Sequence, residues 1–311
     1  MSTQSPLGPQ QDLFESLECT LTIIGQLAVG AERSSSSQTP HLSPFPSHQS
    51  PSMKIATGNV RGAGNARFHL NVQDLINAYS PDILVILEPK ISESHAEHVI
   101  GQVGLPRHFR VDPVGLSGGI WVLWDDRRCN VDVMRATNQS VAMLIRVPSL
   151  PFPWLFSTIY ASPYLHKRLQ LWHHLESLAL DFKFPWLAMG DFNELLNYLD
   201  KLGGRPLILS RVHAFHSCLS NCGLFEVASS GPRCTWTSNN WDWRRHIRER
   251  LDRAFSIADW QMAFPKGYCL TLPRLHSDHH PIMVSTDGWD PHRPMKQFLY
   301  QPMWQTHPLF H

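Results

Sequence analysis

The chain has 311 residues, with 27 basic and 26 acidic side chains and a formal net charge of +1. Near neutrality excludes a wholesale polyelectrolyte binder but leaves room for a local basic patch. Hydrophobic residues make up 42% and only 6 Cys are present, so the bulk reads as globular and needs no disulfide scaffold.

No stretch reaches the ~18 apolar residues of a membrane helix. The nearest, Leu21 to Val29, is broken by Thr22, Gly25 and Gln26. No Lys or Arg precedes Arg33, and Asp12, Glu15 and Glu18 lie before the apolar run, which argues against a secretory signal. The expectation is a soluble intracellular protein with no membrane partner.

Residues 1–52 are rich in Ser and Pro, with a run from Ser34 to Ser37 and then Pro40, Pro44, Pro46 and Pro51. Such a segment buries too little apolar area to offset its chain entropy, so a disordered tail is expected, with a short helix across Asp12 to Ala28. At Met53 the pattern changes. A strand-like run leads into the turn Asn59-Val60-Arg61-Gly62. Phe68, Val72, Leu75, Ile76 and Tyr79 recur at helical spacing, and Pro81 stops that helix. The run from Asp82 to Leu87 reads as a fully buried strand with Glu88 at its end. Another strand, Ile120 to Trp124, follows two glycines.

Val131 to Val133, Val141 to Val147 and Leu155 to Tyr160 read as successive antiparallel strands. Leu171, Leu175, Leu178 and Phe182 mark a second helix, and Trp186 to Met189 a buried strand before Gly190-Asp191-Phe192-Asn193. Val212, Phe215, Leu219 and Cys222 give a third helix, with Gly223 as its cap. Short strands follow at Thr235 to Thr237 and Arg250 to Phe255. From 288 to 311 the chain is irregular again, with Pro291, Pro294, Pro302 and Pro308. The domain therefore spans 53–287. Its mixed α/β order, with many meandering strands, predicts two mixed β-sheets packed face to face and flanked by helices, a four-layer sandwich.

The polar candidates sit at strand ends: Asn59, Glu88, Tyr160, Asp191 with Asn193, and Asp278 with His279. In layered α/β folds such ends converge on one edge, where ligands bind. Carboxylates, amides and an imidazole together are what metal-assisted phosphoester hydrolysis requires. Hard oxygens hold Mg²⁺ or Mn²⁺, the ion polarises phosphoryl oxygens, and a carboxylate or His handles the water proton.

These residues carry a family resemblance over about Met53 to Asp287. MKIATGNVRG (53–62), PDILVILEPK (81–90), STIYASP (157–163), MGDFNELL (189–196), RERLDRAF (248–255) and RLHSDHHPI (274–282) stand in one order. In that order they resemble the motifs of the endonuclease/exonuclease/phosphatase superfamily, the DNase I-like fold. The likeness is greatest to the endonuclease domain of plant LINE-type retrotransposons. The resemblance implies Glu88 as principal metal ligand, with Asn59 and Asp278 beside it and Mg²⁺ as the usual ion. It implies that Asp191 orients or deprotonates the attacking water and that Asn193 and Tyr160 hold phosphate oxygens. His279 would contact the scissile phosphate, its ring held by Asp252. It also implies phosphodiester cleavage, with DNA nicking in the LINE subgroup and hence a nuclear setting. The family's usual aromatic before the first Asn is replaced by Gly58, and no reverse transcriptase follows. Two further readings are thus a catalytically impaired nucleic-acid-binding remnant and a phosphatase on the same scaffold.

Other features are read with their bland alternatives. Trp236, Trp241 and Trp243 flank Arg244, Arg245, Arg248, Arg250 and Arg253. Basic residues interleaved with aromatics suit a nucleic-acid strand, so Arg244, Arg245, Arg248 and Trp243 are assigned to substrate binding; a solvated hairpin is the alternative. Asp252 has Arg250 and Arg253 as rival partners. His276, His279 and His280 around Asp278 superficially suggest zinc, but the Ser-Asp-His match accounts for His279 without it. Cys222 falls on an apolar stripe and reads as packing. No obligate protein partner is evident.

Overall fold

The computed structural model describes residues 52–289 apart from 116–117, 239, 241, 243 and 275. The expected helix at 12–28 and most of the C-terminal connector lie outside the described residues. β1 (Lys54–Asn59) places Ile55 on one face and Ala56 on the other. α1 (Ala66–Tyr79) starts where the Asn65 side chain accepts from the Phe68 amide, and it ends at Ser80, whose φ of 48° breaks the helical path. β2 (Ile83–Leu87) is buried along its whole length. α2 (Glu93–Val103) was not among the expected helices. Its buried Ala96, Val99, Ile100 and Val103 follow the helical repeat.

β3 (Arg107–Val111) and β4 (Ile120–Trp124) complete this side, and β5 (Asn130–Ala136), β6 (Ser140–Arg146) and β7 (Trp154–Tyr160) form the antiparallel meander that was expected. α3 (Leu165–Asp181) leads to β8 (Trp186–Asp191) and the two-residue β9 (Lys201–Leu202). α4 (Leu209–Cys222) ends at Gly223 (φ 65°), whose N–H donates back to the last turn, as its sequence predicts. β10 (Phe225–Glu226), β11 (Ser229–Ser230) and β12 (Trp236–Thr237) are short. The strand expected over 250–255 is β14 (Asp252–Ser256), and an unexpected short strand, β13 (Arg248–Glu249), precedes it. They belong to different sheets, so the chain must change direction between them. α5 (Ala258–Ala263), β15 (Tyr268–Thr271) and β16 (Ile282–Ser285) close the domain.

One sheet has the order β11-β15-β16-β1-β2-β4-β3, the other β10-β14-β8-β7-β6-β5, and a small third sheet has β12-β13-β9. Side chains alternate with the strand period. Ile55, Val85 and Val122 of the first sheet meet Met143, Phe156 and Met189 of the second in a central core. The opposite faces carry Leu84, Ile86 and Trp121 under α1 and α2, and Leu155, Ala188 and Phe255 under α3 and α4. Helix, sheet, sheet, helix is the four-layer sandwich that the sequence predicts.

Register delivers the polar strand ends to one edge. β1 runs parallel to β2 with Asn59 opposite Leu87, and β7 runs parallel to β8 with Tyr160 opposite Asp191. β14 is antiparallel to β8, so its first residue, Asp252, also faces Asp191. Asp278 and His279 do not follow a strand, contrary to the sequence expectation; they precede β16. β16 is antiparallel to β1, with Ile282 opposite Thr57, so its beginning lies beside the end of β1.

Gly190 is required where β7 and β8 meet. Its φ is +145°, and a Cβ there would lie 2.1 Å from the Ile159 carbonyl oxygen. Gly190→Ala is expected to lower unfolding free energy by ~3 kcal/mol or more, from clash and backbone strain together. Urea denaturation followed by circular dichroism measures this, and a loss below about 0.5 kcal/mol would mean that the strands part easily.

Candidate active site

Asp191 is fully buried at the end of β8, and its carboxylate is held from three directions. Asn59 Nδ2 donates to Oδ2 at 3.1 Å, the Asn193 amide donates to Oδ1 at 2.9 Å, and His279 Nε2 stands 3.9 Å from Oδ2. Burial pushes the Asp191 carboxyl well above the ordinary range, and His279 only partly offsets this. His279 is buried too, and its Nδ1 donates to Asp252 Oδ2 at 2.9 Å. Burial alone would favour the neutral ring, but Asp252 and Asp191 outweigh it and lift the imidazole to about 9. His279 is therefore a cation at neutral pH, with its ring fixed by Asp252. Asp252 does not pair with its Arg neighbours. Arg253 turns to Asp200 and Glu226, and Arg250 turns to Glu226.

Glu88, Asn59 and Asp278 form the other half. Arg61 lies between the two carboxylates, paired with Asp278 and 3.9 Å from Glu88. Lys90 Nζ approaches Glu88 at 3.0 Å. The Asn59 side-chain oxygen accepts from the Arg61 amide at 3.2 Å. Ser277 Oγ donates to the Asn59 carbonyl at 2.7 Å, and Trp236 Nε1 donates to Asp278 at 2.9 Å. Burial works against the Arg61 charge, yet Asp278 and then Glu88 raise its pKa overall. The local backbone is unusual: Arg61, Glu88, Lys90, Asn193 and His276 all have φ between 48° and 60°. Such left-handed residues cost about 1–3 kcal/mol each and concentrate at functional sites.

This donor set fits a hard divalent ion. Glu88 and Asp278 both offer carboxylate oxygens to the Arg61 guanidinium, and the Asn59 amide oxygen accepts from the Arg61 amide; hard oxygens of this kind suit such an ion. Four carboxylates, Glu88, Asp191, Asp252 and Asp278, face only three cations, Arg61, Lys90 and His279. Asp191, Asp252 and His279 also bring ligand-type atoms within 4.8 Å of one another. The imidazole there is already engaged with Asp252. The zinc alternative fails on geometry: His276 turns to Asn71 and His280 Nδ1 to the Leu272 carbonyl.

The remaining candidates fall around this centre. Tyr160 is buried at the end of β7, opposite Asp191. Asn193 is half-buried and anchors its loop by donating to the Ala161 carbonyl at 2.9 Å. Arg244 and Arg245 are exposed in the loop joining β12 to β13, and Arg248 is exposed on β13. The base of that hairpin is fastened to the site. The Thr237 amide donates to the Asp278 carbonyl, the His280 amide to Thr235, and Trp236 bridges to His279. Trp243 lies outside the described residues.

Sequence reasoning missed Arg61, Trp236 and two buried ion pairs that pin the 191–200 loop. Arg168 meets Glu194 at 2.9 Å, and Arg253 meets Asp200. The helical position of Arg168 among Leu171, Trp172 and Leu175 is the one trace of this in the sequence.

The family model described as the endonuclease/exonuclease/phosphatase family matches residues 56–285. The chain belongs to that family. Members of this DNase I-like superfamily are nucleases, phosphodiesterases and phosphatases, generally dependent on a divalent metal. No curated protein sequence matches the chain. Among solved structures, the fold is shared with the endonuclease domain of TRAS1, a telomere-specific non-LTR retrotransposon, at TM-score 0.56 and 16% identity, covering 75% of this chain and 97% of that one. It is shared with the AP endonuclease LMAP from Leishmania major at 0.58 and 14%, covering 84% and 98%. A third is the 3' phosphatase NExo from Neisseria, bound to a product DNA hairpin, at 0.53 and 18%, covering 75% and 98%.

Arg61→Ala removes the guanidinium that the Glu88 and Asp278 carboxylates share. Mn²⁺ affinity, read by electron paramagnetic resonance without substrate, is expected to tighten roughly fivefold, the equivalent of ~1 kcal/mol. An unchanged or weaker affinity would show that Arg61 does not compete for these oxygens.

Proposed function

We propose that this protein is a Mg²⁺-dependent phosphodiesterase that nicks DNA, related to the endonucleases of LINE-type retrotransposons. The observation that carries this reading is the double approach to Asp191 Oδ2, by Asn59 at 3.1 Å and by His279 at 3.9 Å, with Asp252 behind the imidazole. A carboxylate whose proton affinity is raised by burial, beside an oriented cation, suits a proton-handling pair next to a phosphate.

Each residue has a part. Glu88, Asn59 and Asp278 hold the ion; Mn²⁺ fits the same oxygens. When bound, the ion polarises a phosphoryl oxygen and neutralises developing charge. Asp191 orients the attacking water and accepts its proton. His279 directs its charge at the scissile phosphate, and Asp252 keeps the Nδ1 side occupied so that Nε2 points inward. Asn193 and Tyr160 hold the phosphate oxygens. The hairpin with Arg244, Arg245 and Arg248, together with Trp243, lies against the substrate strand.

Nicking of supercoiled plasmid with Mg²⁺ tests the reading. Glu88→Ala and His279→Ala are each expected to lower the rate by ~10²-fold or more. Equal nicking by wild type and both variants would reject the assigned site. Each of Arg244→Ala, Arg245→Ala and Arg248→Ala that removes a phosphate contact is expected to flatten the slope of log affinity against log salt by about 0.9 for duplex DNA. Unchanged slopes in all three would take the hairpin out of the DNA-binding surface.

A further inference from the structure

A cavity of about 270 Å³ lies beside the loop that follows β8. Asn193 reaches its wall, but Glu88, Asp191, Asp252, Asp278 and His279 do not, so it is distinct from the centre described above. Three parts of the chain build it. Arg168 comes from α3, Lys201 and Arg205 from the two sides of a glycine turn, and Arg211 from the first turn of α4. Gly203 and Gly204 make that turn at φ of 79° and 71°, a region that other residues enter only at a cost.

The charges around this cavity do not cancel. Four cations line it against two carboxylates, Glu194 and Glu249. Lys201 and Glu249 pair with each other at 2.5 Å. Glu194 is shared: it takes Arg168 at 2.9 Å and Arg211 at 3.1 Å, so one carboxylate faces two guanidiniums. Arg205 is exposed and pairs with no described residue. Two positive charges are therefore left uncompensated. The Arg168 side chain is only 1% exposed, and burial together with Arg211 lowers its pKa more than Glu194 restores it. A buried cation is costly unless fully paired, so an anion entering here relieves an existing cost. α4 acts in the same sense. Its N-cap, Ile208, has no side chain that can accept a hydrogen bond, and its first turn carries no acid. No side chain answers the positive end of the helix dipole, which favours an anion there.

We infer that this cavity is a binding site for a phosphate monoester, apart from the reaction centre. A monoester carries nearly two negative charges at neutral pH and so matches the two uncompensated cations, whereas a diester carries one. Guanidinium groups suit phosphate oxygens because their N–H donors bind them in pairs. A volume just under the usual lower bound of ~300 Å³ for ligand pockets suits a small group. The ester is the terminal phosphate of a nucleic-acid strand or a free small phosphate ester, and the site does not depend on the phosphodiesterase reading.

The test titrates the full chain, in EDTA so that no turnover occurs, with methyl phosphate and with dimethyl phosphate, and reads binding from ³¹P line widths. Methyl phosphate is expected to bind saturably, and dimethyl phosphate about tenfold more weakly. Arg205→Glu is expected to weaken methyl phosphate about tenfold or more, Arg205→Ala less but in the same direction, and His279→Ala not at all. The thermal transition of each variant shows that it is folded. Absence of saturable binding to wild type would overturn the site. So would an affinity retained in both folded Arg205 variants, or lost in His279→Ala, which would put the ester in the reaction centre. Equal affinity for dimethyl phosphate would make the cavity a backbone contact and overturn the monoester assignment. A single-stranded oligonucleotide with a phosphate at its 5′ or 3′ end, compared by fluorescence anisotropy with the same strand ending in hydroxyls, separates the two sources. A preference for the phosphorylated end that disappears in Arg205→Glu supports the strand end. No preference, with methyl phosphate binding intact, supports the free ester.

Discussion

The hydrogen bond from Asn59 to Asp191 crosses the seam between the two sheets. Asn59 ends a strand of the first sheet and Asp191 ends a strand of the second. A buried carboxylate is costly unless it is paired and hydrogen-bonded, so Asp191 constrains everything packed around it. Asn59, the Asn193 amide and His279 must all arrive together. The same seam is crossed a second time by His279 and Asp252, 27 positions apart in sequence. The central core brings the sheets face to face, and these polar contacts fix their register at the working edge.

The loop after β8 is held by charges that a packing argument would not select. Arg168 and Glu194 are almost wholly buried, as are Arg253 and Asp200. Buried ion pairs contribute little net stability against hydrophobic replacements, but breaking one partner leaves an uncompensated charge. Their effect here is positional. Arg211 joins Glu194 at 3.1 Å, and Asp200 also accepts from the Leu196 and Asn197 amides. The segment bearing Asp191 and Asn193 is thus tied to α3, α4 and β14 at once.

Much of this was legible in the sequence because it is local. The continuous run ILVIL marks a strand buried on both faces, and Gly223 marks the end of a helix. The Gly-Asp-Phe-Asn and Ser-Asp-His segments stand out only as a series in family order, and the structure brings Asp191, Asp252 and His279 together. What escaped is partner choice over long separations. Arg61 sits in a turn that reads as an ordinary polar tip, yet its partner Asp278 lies 217 positions away. Trp236 looked like a stacking aromatic, and its indole N–H is committed to Asp278. The helix at Glu93–Val103 leaves a faint trace in the sequence, its apolar repeat being short and set among polar residues. Asp278 and His279 precede a strand rather than follow one, and sequence alone does not reveal that this strand runs antiparallel to β1.

A centre shared between two layers has a mechanical side. Neither layer owns the chemistry: Glu88 and Asn59 travel with one, Asp191 and Asp252 with the other. A slip of a fraction of a residue between them would separate these groups while every strand ladder stayed whole.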